Sequence, residues 1–255
     1  MNNLFEYDLA TNPLSFEFLI WLIHAEMARQ RHKAPAPLRI RFINVDSAKA
    51  EAWLNNVFRP LLPMIDAVED ESENGELPFK PLFLSVELFL NEIAAAARWG
   101  EEVPRLHVDH IGVPVGQSPV VITLREVLYW PHRNSNLREW KKFAVDLCSK
   151  GERVIFVRDT AKAREPLEDF LVCPDASLKL DVRMGLYQCA KMNFFVSNGP
   201  VAMAMFSRVP FIYFMTQYPG AQVPRWPWAT ENQRTICAVD SYENLSKAWK
   251  ESQRP

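Results

Sequence analysis

Hydrophobic and polar positions along this chain follow two rhythms, one of period two and one of period three to four, and they trade places repeatedly. Phe5 to Leu9 reads as a short strand, and Leu38 to Val45 alternates like a second one. Between them, Asn12-Pro13 predicts an N-cap followed by proline at the first helical position, opening a helix that runs to about Arg31. Phe16, Leu19, Ile20, Ile23 and Met27 keep the i, i+3, i+4, i+7 spacing, while Phe18, Trp21 and Leu22 widen the apolar stripe. A helix this apolar is expected to be covered on two sides. Ala48 to Phe58 predicts a second helix, stopped by Arg59-Pro60. Glu69 to Pro81 is acidic, polar and turn-rich, and reads as a solvated surface loop. Val86 to Trp99 predicts a helix and Arg105 to Val108 a strand. This strand–helix order argues for a parallel sheet in the first half.

Asp109 to Pro119 carries two glycines and two prolines, and marks a boundary between an N-terminal domain, 1–115, and a C-terminal domain, 116–255. The second half is more regular. Strands are predicted at Val120 to Glu126, Arg153 to Arg158, Leu178 to Leu180, Asn193 to Val196 and Pro210 to Met215. Helices are predicted at Asn136 to Lys150 (stopped by Gly151), from Asp181 to Met192, and at Pro200 to Arg208. Unbroken alternation of this kind is the pattern of a doubly wound parallel sheet. An irregular stretch, Gln217 to Arg234, precedes a final amphipathic helix, Ser241 to Gln253.

Composition narrows the class. With 48% hydrophobic and 12% aromatic residues the chain can bury a core, which excludes general disorder. Lys plus Arg total 29 against 31 for Asp plus Glu, so nothing invites a nucleic-acid backbone, although a local basic site can still hold a small phosphate. Nineteen prolines against eight glycines argue for stiff turns and against glycine-rich phosphate loops. Cys148, Cys173, Cys189 and Cys237 form no CxxC pair and are expected to be unpaired and largely buried. No signal peptide is expected from the opening residues, and the most apolar run, Leu14 to Ala25, is too short to span a bilayer. These features point to the cytoplasm.

Candidate chemistry lies beyond the carboxyl ends of the parallel strands, where open α/β sheets bind ligands. Ser197-Asn198-Gly199-Pro200 runs from a strand straight into a helix, so its free amides and the helix dipole favour an anion; an ordinary capped turn is the other reading. Arg125 and Arg158 both end apolar strands at the same rim, and two guanidinium groups beside that turn suit a diphosphate. Ion pairs to Glu126 and Asp159 are the alternative. His107-Val-Asp-His110 resembles a metal cluster, but alternation sends His110 to the opposite face from His107 and Asp109, so no metal is expected. The dinucleotide-binding GxGxxG, the P-loop and the GxSxG elbow are all missing from the sequence.

Several segments together resemble the donor-binding domain of GT-B glycosyltransferases. They are Val121-Ile-Thr-Leu-Arg-Glu126, Arg133-Asn134, Val154-Ile-Phe-Val-Arg-Asp159, Phe195-Val-Ser-Asn-Gly-Pro200 and Pro210-Phe-Ile-Tyr-Phe. The likeness is to glycosyltransferase-like proteins of bacterial surface-carbohydrate pathways, and Tyr7-Asp-Leu with Phe16 to Glu26 is similar to the start of such proteins. The strand ending in Arg125 is also similar to a fucosyltransferase strand, with Thr123 where those enzymes tend to have histidine. The resemblance implies two Rossmann-like lobes with parallel sheets, an acceptor-side lobe first and a donor-binding lobe second. It implies a nucleotide-sugar held by Arg125, Arg158, Ser197, Asn198 and Gly199, with Arg133 and Asn134 on the rim. It further implies transfer to an acceptor hydroxyl on a carbohydrate or lipid-linked molecule, with no separate cofactor. Glu126, Asp109 and His110 are candidates for the base by position. A non-catalytic nucleotide-sugar-binding protein and a sugar-nucleotide epimerase share the architecture and remain open.

Overall fold

The computed structural model describes residues 3–72, 78, 85–109, 118–223 and 225–253. The chain divides into two compact units, Met1–Val108 with Trp226–Trp228, and Asp109–Arg225 with Ala229–Pro255.

In the first unit, β1 (Leu4–Asp8), β2 (Leu38–Ile43) and β3 (Ala67–Glu69) form a parallel sheet in that order. Helix α1 (Glu17–Arg31) is as deeply covered as its composition predicts, with every residue from Phe18 to Ile23 buried. Tyr7, Phe18, Trp21 and Phe58 meet edge-on, tilted or, for Phe18 and Trp21, stacked, with ring centroids 4.4 to 5.7 Å apart. Such quadrupole-matched contacts add to the burial itself. The helix starts four residues later than Asn12-Pro13 predicts, and Pro13's carbonyl accepts from the Tyr7 hydroxyl at 2.8 Å. Arg59-Pro60 does not stop the second helix. Helix α2 (Ala48–Trp53) passes through a π-turn (Leu54–Phe58) into α3 (Arg59–Leu61) and a 3₁₀ turn (Leu62–Ile65). Pro60 sits in the first turn of a renewed helix, where its missing N–H costs little.

The predicted acidic loop begins inside β3, and its Asp70 is buried against Arg39 and Arg41 at 2.9 and 3.5 Å; 73–77 and 79–81 lie outside the described residues. Helix α4 (Val86–Arg98) packs on α1, where His24 meets Glu92 at 2.8 Å. The predicted strand at Arg105 to Val108 is not formed; that segment is irregular, with the His107 amide donating to the Met64 carbonyl.

The second unit is built on a sheet that is parallel throughout. Its strands are β4 (Val120–Thr123), β5 (Val154–Val157), β6 (Leu171–Val172), β7 (Met192–Val196), β8 (Phe211–Phe214) and β9 (Gln233–Ile236), in the spatial order β6-β5-β4-β7-β8-β9. Its helices are α5 (Leu137–Ser149), α6 (Pro174–Leu178), α7 (Leu180–Cys189), α8 (Val201–Met205) and α9 (Tyr242–Ser252).

Alternation decides the layers. Val120, Ile122, Phe156, Phe194, Val196 and Phe214 pack with Trp140, Phe143, Leu245 and Trp249 of α5 and α9. Thr123, Asn193 and Phe195 turn to the opposite face and meet Tyr187 of α7. Leu178 to Leu180, predicted as a strand, instead joins two helices. Asn136 precedes α5 without a side-chain cap bond, and Asp181 lies inside α7 rather than at its cap. The carboxylate at the start of α5 is Asp240, which accepts from the Asn136 amide at 2.8 Å and from Trp140 Nε1 at 2.6 Å. All four cysteines are unpaired, but none is buried: Cys148 is exposed on the outer face of α5 and the others are half-buried.

Candidate functional site

Strand order reverses between β4 and β7, and the helices that follow these two strands lie on opposite faces of the sheet. The carboxyl ends of β4 and β7 therefore bound the crevice in which open α/β sheets bind ligands.

The loop after β4 closes on itself. Arg125 and Ser135 exchange backbone and side-chain bonds, with the Arg125 amide donating to Ser135 Oγ and the Ser135 amide to the Arg125 carbonyl, each at 2.9 Å. Asn134 holds Val127 at both ends, accepting from its amide at 3.2 Å and donating to its carbonyl at 2.8 Å. Inside the loop, the buried Arg125 guanidinium donates to the carbonyls of Trp130 (3.1 Å) and Tyr129 (3.3 Å) and to Asn134 Oδ1 (2.5 Å). Arg133 Nη2 reaches the carbonyl of Ser197, at the end of β7, at 3.3 Å, while its Nε is buried without a partner. Neither arginine forms an ion pair among the described residues. Burial, and then the like charge of Arg133, pull Arg125 below its ordinary pKa. Asp159 opposes that shift only in part, so two guanidinium groups without ion-pair partners lie together at this sheet edge, and an anion placed there would relieve their repulsion.

Ser197 is itself buried. Its hydroxyl meets Tyr213 Oη at 3.1 Å and donates to Gln217 Oε1. Burial pushes the Tyr213 phenol upward, so it stays a neutral donor.

The structure brings Arg125, Arg133, Asn134 and Ser197 together and places the other residues of the predicted set as follows. Arg158 does not share this site as a free cation. Its Nε and Nη2 fork onto Glu126 at 2.9 and 2.7 Å, and its Nη1 donates to the carbonyls of Glu165 and Pro166. Those bonds hold the Arg158 guanidinium above its ordinary pKa. Asp159 is not its partner; it accepts from the Glu126 amide, and burial raises its carboxyl. Glu126 is consequently committed to Arg158 and is no free base. Asn198 Oδ1 accepts from the Val201 amide at 3.2 Å, so it serves as the cap, and Gly199 lies exposed in the turn. The helix behind them, α8, has only five residues, too few for a strong dipole. Asp109 is exposed, and His110 lies outside the described residues.

Sequence reasoning missed Tyr213 and Gln217. Tyr213 sits in an apolar strand where its ring alone carries the pattern, and Gln217 belongs to a stretch with no period. Among the described residues no group of three or more His, Cys, Asp or Glu is placed to hold a metal ion. No helix among them is long and apolar enough to cross a membrane.

No protein-family model matches the sequence, and no curated protein matches it. Solved structures do match in fold. Heptosyltransferase II of E. coli, which is described as acting with ADP-heptose on lipopolysaccharide, aligns with a TM-score of 0.57 at 10% identity, over 95% of this chain and 93% of that one. E. coli heptosyltransferase WaaC, solved with ADP, aligns with a TM-score of 0.53 at 12% identity, over 98% and 99%. The iron-containing dodecameric glycosyltransferase TibC of enterotoxigenic E. coli aligns with a TM-score of 0.56 at 16% identity, over 94% of this chain but only 65% of its own. At such identities the likeness is one of fold. The α/β architecture of two parallel-sheet units is shared with glycosyltransferases that use nucleotide sugars.

Proposed function

We propose that this chain binds a nucleoside-diphosphate sugar at the carboxyl edge of β4 and β7 and transfers the sugar to an acceptor hydroxyl on a carbohydrate or lipid-linked molecule. The observation that carries the reading is the pair Arg125 and Arg133, neither in an ion pair with a described carboxylate and both set at the reversal of strand order. Arg133 supplies the diphosphate contacts, since its Nε has no partner to surrender. Arg125 holds the loop that carries Arg133 and adds its charge. Ser197, Asn198 and Gly199 complete the rim beside the phosphates. When the anomeric carbon–oxygen bond breaks, negative charge gathers on the leaving phosphate, and fixed guanidinium groups stabilise it without reorganising. The acceptor's proton goes to a base, for which Asp109 and His110 are this chain's candidates. The arginines take the neutralising role that a metal ion would otherwise fill, and the work is assigned to the cytoplasm, where nucleotide sugars are available.

ADP is the first nucleotide to test, because fold neighbours are described with ADP and ADP-heptose. Isothermal calorimetry with ADP, GDP, UDP and CDP should find one that binds at micromolar to millimolar concentration. Arg133→Ala should weaken it about tenfold or more, the worth of a charge-assisted hydrogen bond, and Arg133→Lys should recover only part, since an ammonium cannot fork. Binding without turnover of the matching sugar would favour a non-catalytic binding protein, and a changed sugar configuration an epimerase. No binding of any nucleotide at millimolar concentration rejects the site.

A further inference from the structure

Leu128, Tyr129 and Trp130 stand in solvent on the loop after β4, with 98%, 67% and 59% of their surface exposed. Exposed aromatics on a wandering loop would mean little, but this loop is fixed. Buried Arg125 grips the carbonyls of Tyr129 and Trp130, and Asn134 clamps Val127. Trp130 is held in the left-handed region at φ 51°, which a bulky residue adopts only when its surroundings impose it. The Arg133 guanidinium lies over the Trp130 ring, 5.4 Å from its centre, and Arg125 lies over the Tyr129 ring at 5.5 Å. Each aromatic ring is thereby tied to one of the two arginines of the crevice.

We infer that Trp130, supported by Tyr129, is the stacking platform for the base of the nucleotide, a deepening of the proposed donor site that rests on that reading. A guanidinium covers one side of the Trp130 ring, and the ring's exposure leaves area for a second flat group. A nucleobase offers such a face, and stacking of a base on an aromatic side chain is favourable whatever the base. The ring's distance from Arg133 matches a ligand whose anionic end meets the guanidinium while its aromatic end, a few bonds away, meets the indole. Leu128 points its side chain fully into solvent and takes no part.

The test compares ligands with and without a base on the full-length protein. Calorimetry should give Kd values for inorganic pyrophosphate and for the tightest of ADP, GDP, UDP and CDP. Trp130→Ala should weaken the nucleotide about tenfold while leaving pyrophosphate within about twofold. Trp130→Phe should restore most of the loss, and Leu128→Ala should change neither ligand. An equal loss for pyrophosphate and nucleotide, or no loss for either, overturns the platform while leaving the phosphate site standing. A loss confined to the sugar nucleotide, with the free diphosphate unaffected, assigns the ring to the sugar and also overturns it. If neither pyrophosphate nor any nucleotide binds wild type, the donor site falls first and the platform with it.

Discussion

At the scale of single residues, three arginines of one sheet edge have three different fates, and their partners decide which. Arg158 and Glu126 are both nearly buried and form a forked pair. Removing one member of such a pair strands the other charge away from water, which costs about 3–5 kcal/mol. Arg158→Ala is therefore expected to lower the urea midpoint steeply while leaving nucleotide affinity within about twofold for whatever remains folded. An affinity loss matching that of Arg133→Ala would return Arg158 to the binding site. Arg125 spends its donors on loop carbonyls, and only Arg133 keeps a buried N–H with no acceptor. The sequence placed Arg125 and Arg158 at strand ends, because an apolar run ending in arginine is a local pattern. It could not tell an arginine that meets Glu126 from one that meets nothing. That choice depends on neighbours about thirty residues apart in sequence.

At the scale of elements, strand alternation was readable wherever a run was apolar on both faces, as in β4, β5, β7 and β8. What escaped were elements whose reason is tertiary. β9 looks irregular in sequence; it pairs with β8 while Gln233 sits buried, donating to the carbonyls of Ala204, Ser207 and Val209 at and beyond the end of α8. α5 has Asn136 at its start yet takes its carboxylate from Asp240, over a hundred residues away.

The contact between α1 and α4 yields a prediction of its own. Burial holds His24 below its ordinary pKa of 6.5, and Glu92 only partly opposes it; Arg31 adds like-charge repulsion. The folded contact therefore prefers neutral imidazole. In the unfolded chain the imidazole takes up its proton near the ordinary value, and in the folded chain only at lower pH. The stability this confers is complete above the unfolded value and is lost as pH falls through the folded one. Urea midpoints at about pH 7.5 and 5.5 should fall more for wild type than for His24→Gln. A smaller fall for wild type would mean that Glu92 holds His24 charged in the fold, and equal falls that folding does not disturb its titration.

At the scale of the whole molecule, alternation alone sufficed to predict two parallel sheets, whereas the site's location came from a rule about where strand order reverses rather than from any motif. Each unit has its own buried core, aromatic in the first around Tyr7 and Trp21, and two-sided in the second around Trp140 and Phe194. The two therefore report ligand binding separately. Hydrogen exchange followed by mass spectrometry localises that report. A ligand that binds only the native state suppresses opening by about 2.7 kcal/mol at a hundred times its Kd, roughly a hundredfold slowing of exchange through openings that release it. The amides that should slow most with ADP, or with the tightest nucleotide, are those of 125–135, where the loop is already held by Arg125 and Asn134, and those of 197–199. The strand interiors of β4 and β7 are buried and already protected, so they should change little. The segment from Arg158 to Pro166 should also change little, because Arg158 already spends donors on its carbonyls and on Glu126. Protection concentrated instead at Arg158 to Pro166, or confined to 38–70 of the first unit, would place the nucleotide elsewhere and remove the ground for assigning Arg133 to its phosphates.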